Sequence, residues 1–172
     1  MAKSTEEALN TAPEYEKRVR NVYREALERS KNAEARSLFE ILAQEEQKHL
    51  NYLRTLFKEL RKTGKASALR LKTGLPSAAT LKKSLDKVER SVASNDREAE
   101  LALLKRALDA EEETVKLYEE MTKELPAKER ESFQRFLEIE EGHLAIVQAQ
   151  IDYLSRTGYW FNFSEAALEE PD

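Results

Sequence analysis

"IEEGHLAIV", residues 139 to 147, is the stretch that decides the fold. The seam of an amphipathic helix runs through it as Phe133, Leu137, Glu140, Leu144, Val147, Ile151 and Leu154. Its steps alternate four and three residues, the spacing of a stripe that faces other helices. Every member is apolar except Glu140, and His143 follows one turn later on nearly the same face. A lone buried carboxylate is costly unless it is protonated, paired or bound to a cation. Something must satisfy Glu140.

The rest of the chain repeats the arrangement. Shifted by 94 residues, "LFEILAQEEQKHLNYL" (38–53) overlays "SFQRFLEIEEGHLAIV" (132–147), so Glu46 meets Glu140 and His49 meets His143. Shifted by 95, "EKRVRNVY" (16–23) overlays "EEETVKLY" (111–118), so Glu16 meets Glu111 and Tyr23 meets Tyr118. Each half reads as one helical hairpin that cannot bury its apolar face alone. The second helix has the seam Phe39, Ala43, Glu46, Leu50, Leu53, Phe57, Leu60, and the third has Leu101, Leu104, Leu108, Glu111, Val115, Tyr118. Each apolar seam is broken once, by a glutamate.

These patterns predict an all-α fold over residues 1–172 as a single domain, with helices at about 12–31, 33–63, 96–125 and 126–156. Thr11 to Glu14 reads as the first helix start, and Ser4 to Glu7 as an earlier one with a kink at Pro13. Short loops make each helix pair an antiparallel hairpin. The long middle connection, a loop at 63–78 and a short helix within 80–92, can carry the chain from one end of a four-helix bundle to the other. After the last helix comes an aromatic tail, 157–172. Trp160, Phe161 and Phe163 there are expected to cover the bundle end or a partner subunit.

Composition narrows the function. Charged residues make up 36% of the chain at a net charge of -4, with only 4 Gly and 4 Pro, which favours long helices. Both signs are interspersed, so no basic patch points to nucleic acid, and no apolar run is long enough to span a membrane. Lys58 to Lys72 and Lys82 to Arg90 read as solvated surface. Cysteine is absent, which excludes thiol catalysis, disulfides and cysteine-ligated iron centres. The N-terminal "MAKSTEEALN" has no signal-peptide core, so a cytoplasmic location is expected.

Four glutamates in one core repel each other, and two divalent cations remove the difficulty. Carboxylates bind hard metal ions, and neutral imidazole adds a nitrogen ligand to each. The expected ligands are Glu16 and Glu111, with Glu46-x-x-His49 and Glu140-x-x-His143. One Glu from each of two helices and Glu-x-x-His from the other two is the known pattern of di-metal carboxylate bundles. A single Glu-x-x-His in a charged helix reads as a solvated face. Here both of the chain's two histidines fall in the motif, at equivalent positions. Glu46 and Glu140 are the expected bridges, and Glu16 and Glu111 the terminal ligands. Tyr23 and Tyr118 lie seven residues after a ligand on the same face, which suits either core tyrosines or donors to a ligand carboxylate. Glu45 and Glu141 turn toward the flank and read as solvated. Gly142 lowers helix propensity and allows a close backbone approach.

"LFEILAQEEQKHL" and "FLEIEEGHLAIV", each preceded by Glu-x6-Tyr, resemble the rubrerythrin branch of the ferritin-like superfamily over about residues 5–165. The resemblance implies a ferritin-like bundle and a non-haem di-iron site that reacts with hydrogen peroxide or dioxygen. It implies an external electron donor and a homodimer, sometimes with helices exchanged. Manganese or zinc tolerates the same ligands. Two departures stand out. The rubredoxin domain of two-domain rubrerythrins has no counterpart in a Cys-free chain. Their additional third-helix glutamate is also missing, since Leu108 and Thr114 flank Glu111. The symmetric ligand set looks closer to bacterioferritin or simpler ferritin-like oxidases. The leading function is a di-iron peroxidase or oxidase. Ferroxidation for iron storage or delivery is the second reading, and a metal-stabilised, non-catalytic bundle the third.

Overall fold

The computed structural model describes residues 4–66, 70–87 and 90–162. They form an all-α, ferritin-like bundle of four long helices, α1 (Thr5–Arg29), α2 (Ala33–Thr63), α4 (Arg97–Glu124) and α5 (Ala127–Thr157), with a short α3 (Ala78–Ser84) in the crossover. Helix α1 packs on α2, α4 on α5, and α1 on α4.

The helix ends follow from local chemistry. Ser4, not Thr11, starts α1. Its hydroxyl accepts from the Glu7 amide at 3.1 Å, and Glu7 accepts from the Ser4 amide at 2.7 Å. The two added turns bury Ala8, Leu9 and Ala12 in the core, which favours the earlier start. The helix runs on through Pro13, forgoing one backbone hydrogen bond there. Asn32 caps α2 by accepting from the Glu34 and Ala35 amides, and Asp96 caps α4 by accepting from Ala99. Gly64 and Gly158 close α2 and α5 at φ of 72° and 75°, a conformation that glycine enters without strain.

The crossover differs from the expected loop and helix. After α3 and a single 3₁₀ turn, the chain forms strand β1 (Arg90–Ala93), which pairs antiparallel with β2 (Tyr159–Phe161). This pairing joins segments nearly seventy residues apart, so no local pattern announces it. The strand lies at the start of α2, where Ala93 accepts from Asn32 at 3.1 Å and Ser91 donates to Glu34 at 2.9 Å. Because α2 leaves from its other end, about 46 Å away at 1.5 Å per residue, the connection traverses the bundle.

The aromatic tail folds back on its own chain. Trp160 and Phe161 are buried. The Trp160 indole donates to Glu100 at 2.7 Å, and its ring meets Phe39 edge-on at 6.3 Å. Trp160 and Phe161 thus cover the bundle end, one of the two places expected for the tail, and Phe163 lies outside the described residues. Among the described residues, no helix is long and apolar enough to cross a membrane.

Two apolar clusters fill the bundle. One gathers Val19, Tyr23, Phe39, Leu42, Ala107, Ile146 and Trp160. The other gathers Leu9, Leu53, Tyr118, Met121, Phe133 and Phe136. On every long helix the seam glutamate falls in the chain between the two clusters.

Candidate metal centre

Glu16, Glu46, His49, Glu111, Glu140 and His143 meet in that intervening layer, and every one of them is fully buried. The repeat explains the meeting. Equivalent positions of two similar hairpins come together when the hairpins pack face to face. The two imidazoles stack parallel, their centroids 5.4 Å apart.

His49 Nδ1 faces three carboxylates, with Glu140 at 2.7 Å, Glu16 at 3.0 Å and Glu46 at 3.2 Å. His143 Nδ1 faces Glu46 at 2.8 Å, Glu140 at 3.6 Å and Glu111 at 3.8 Å. Glu46 and Glu140 therefore belong to both groups, while Glu16 and Glu111 belong to one each. The contact that answers for Glu140 is close but poorly directed. Among the described residues, neither of its oxygens has an aligned hydrogen-bond donor. Glu46 Oε2 and Glu111 Oε2 are in the same position, as is Nε2 of each histidine.

Two tyrosines complete the layer. The Tyr23 hydroxyl donates to Glu111 Oε1, and the Tyr118 hydroxyl donates to Glu16 Oε1. Each hydroxyl serves the terminal glutamate of the opposite hairpin. Both tyrosines are thus core residues whose hydroxyls have carboxylate acceptors.

Burial and the mutual charges of these groups shift their proton affinities. Burial and then the Glu140 charge push Glu16 well above the usual carboxylate range. Burial and then Glu46 do the same to Glu111. Burial also works against ionised Glu46, but the imidazoles of His49 and His143 outweigh it and hold that carboxyl low. Glu140 is held low as well, burial and Glu46 being outweighed by His49 and His143. Burial alone would lower both histidines, yet the surrounding carboxylates raise them well above their ordinary value. Burial, reinforced by the adjacent glutamates, raises Tyr23 and Tyr118. The imidazoles thus favour the ionised form of Glu46 and Glu140, while burial and the neighbouring charges favour the neutral form of Glu16 and Glu111.

The donor set fits a pair of metal ions. One imidazole N–H can serve only one of three carboxylate oxygens, whereas a cation at that point serves them all. Four carboxylates and two neutral imidazoles bind two divalent ions with no net charge left over.

The structure corrects one flank assignment. Glu141 is exposed as expected. Glu45 is 3% exposed, not solvated. Lys48 donates to its Oε1, and Thr73 of the crossover donates to Oε2 at 2.6 Å. The helical period turns Glu45 toward the flank, and the crossover covers that flank. Gly142 has its role here too. A Cβ at this position would lie 3.1 Å from the Pro76 carbonyl oxygen, so the crossover backbone sits directly on α5.

A family model described as Rubrerythrin matches residues 7–151. No curated protein and no solved structure matches the chain.

Proposed function

The chain belongs to the rubrerythrin family, and on that premise we propose that it is a non-haem di-iron oxidoreductase acting on hydrogen peroxide or dioxygen. The observation that carries this reading is the crowding at His49 Nδ1, where three carboxylates lie within 3.2 Å of one nitrogen. Bound among these residues, a pair of ferrous ions supplies the two electrons that reduce an O–O bond.

The chain's own residues set the terms of that chemistry. Glu16 and His49 would hold one ion and Glu111 and His143 the other, with Glu46 and Glu140 shared between them. Tyr118 takes up Glu16 Oε1 and leaves Oε2 turned toward His49. Tyr23 anchors Glu111 through Oε1, the oxygen that also faces His143 at 3.8 Å. The apolar clusters on either side exclude bulk water, with the Phe136 ring 5.5 Å from that of His49. These 172 residues hold no cysteine for a second iron centre, and an external electron donor completes the proposed reaction.

One observation favours ferroxidation as the second reading. Thr114 is buried one turn from Glu111, and its hydroxyl is committed to the Ala110 carbonyl at 3.0 Å. With Leu108 on the other side, α4 adds no second carboxylate beside Glu111.

Anaerobic loading with Fe(II), followed by a pulse of peroxide, tests the proposal. We expect oxidation of two bound irons per chain and sustained peroxide turnover once a reductant is added. Rapid oxidation by dioxygen with accumulation of ferric mineral would favour ferroxidation. Failure to bind Fe(II) would remove both readings.

A further inference from the structure

We propose that Glu45 is a positioning residue for both histidines, acting from the side of the rings opposite the metal site. The inference rests on the di-metal reading of the six buried residues.

Both imidazoles turn Nδ1 toward the four cluster glutamates. Nε2 of each ring is buried and, among the described residues, has no hydrogen-bond partner. A histidine that gives its Nδ1 lone pair to a metal must carry its proton on Nε2, and that N–H needs an acceptor to fix the tautomer and the ring plane. One carboxylate oxygen of Glu45 and one ring nitrogen of each histidine lie within 4.8 Å of one another. That grouping contains none of the cluster glutamates, which all address Nδ1. Within that distance the buried carboxylate acts on both rings through its charge.

The broken symmetry of the repeat points the same way. In the second half Glu45 is replaced by Ile139 and Lys48 by Gly142. One carboxylate therefore has to serve two rings. The Ile139 and Gly142 side is where the crossover packs, with Pro76 against Gly142. Thr73 of the same segment donates to Glu45 at 2.6 Å, and Lys48 donates to its other oxygen. Glu45 is thus buried by the crossover and held from two sides, as a positioning group must be.

The test uses the full chain, labelled with ¹⁵N-histidine and loaded with Zn(II), which is diamagnetic. In the wild type we expect both imidazoles to show the Nε2–H tautomer with slowly exchanging protons. Glu45→Gln keeps shape and should speed exchange of both protons. It should also weaken zinc binding about 10–100-fold in chelator competition. Glu45→Asp should recover part of both effects. A wild type that binds no zinc would overturn the di-metal reading itself. A wild type that binds zinc, with Glu45→Gln matching it in affinity and proton exchange, would overturn only the role of Glu45. So would a Glu45→Gln protein that melts earlier yet keeps the wild-type imidazole signals, because Glu45 would then serve the crossover alone.

Discussion

At the scale of residues, the centre is a contest between protons and metal for the same lone pairs. Glu16, Glu111, His49 and His143 hold their protons more tightly in the fold than in the unfolded chain. The stability they contribute is complete below their unfolded values and is lost as pH rises through the folded ones. Glu46 and Glu140 are held low, so their contribution is present above the ordinary carboxylate range and is lost toward acid. The metal-free protein should therefore be most stable between these limits, and its melting temperature should fall as pH is raised from neutral. Metal affinity should move the other way, since ligands must shed protons to bind. Parallel melts of metal-free and Zn(II)-loaded protein across pH check both signs. A metal-free melt that stays flat into alkali would show that the cluster does not hold those protons. Tyr118→Phe isolates a single donor. It leaves Glu16 Oε1 without its hydroxyl partner, at a cost of about 1–3 kcal/mol in the metal-free fold. It should also lower zinc affinity about 10–100-fold, as loss of an outer-shell partner does. Urea melts and chelator competition measure the two effects. An unchanged affinity would make Tyr118 a core residue only.

At the scale of elements, the crossover matters most. It docks on α5 through Gly142 and on α2 through Glu45 and Thr73, so both Glu-x-x-His helices are held by one segment. In an open helix, Gly→Ala stabilises by about 1 kcal/mol. Here the new Cβ would meet the Pro76 carbonyl oxygen at 3.1 Å. That backbone has little room to give, because the next residue, Ser77, caps α3 through Thr80 at 3.2 Å. Gly142→Ala should consequently destabilise the protein, shown as a lower urea midpoint at unchanged slope. A gain near the full propensity value would mean that the crossover yields freely. These contacts also show where a sequence stops being legible. The four long helices could be read because their seams repeat every three or four residues and their ends carry Asn32, Asp96, Gly64 and Gly158. The six buried ligand-type residues could be read because a glutamate in an apolar seam is anomalous by itself. Strand β1 could not, since its partner Tyr159–Phe161 is distant in the chain. Nor could the burial of Glu45, which the crossover imposes and not its own helix. The start of α1 offered two caps of the same type, and only the tertiary burial of Ala8, Leu9 and Ala12 separates them.

At the scale of the whole molecule, the polar layer joins both hairpins in a single set of interactions. Glu16, Glu46 and His49 come from α1 and α2, and Glu111, Glu140 and His143 from α4 and α5. Metal binding should therefore stabilise the bundle as a unit, by about 2.7 kcal/mol when the free ion is at a hundredfold excess over its dissociation constant. Glu140→Leu separates what the fold needs from what the metal needs. Leucine matches the seam neighbours Leu137 and Leu144. In the metal-free protein His49 keeps Glu16 at 3.0 Å and Glu46 at 3.2 Å, and loss of the Glu140 charge, which holds Glu16 neutral, favours ionised Glu16 in its place. Replacing a buried ion by a packed apolar side chain is then neutral or stabilising, by up to about 1–4 kcal/mol. In the loaded protein the same change removes a ligand shared by both positions, and most of the stabilisation by metal should vanish. Thermal melts of wild type and Glu140→Leu, each with and without Fe(II) under anaerobic conditions, measure the two effects together. The expected pattern is a crossing, with the variant at or above wild type when empty and well below it when loaded. If Glu140→Leu instead melts lower by the same amount in both states, Glu140 serves the fold through its protein partners and is not there for metal.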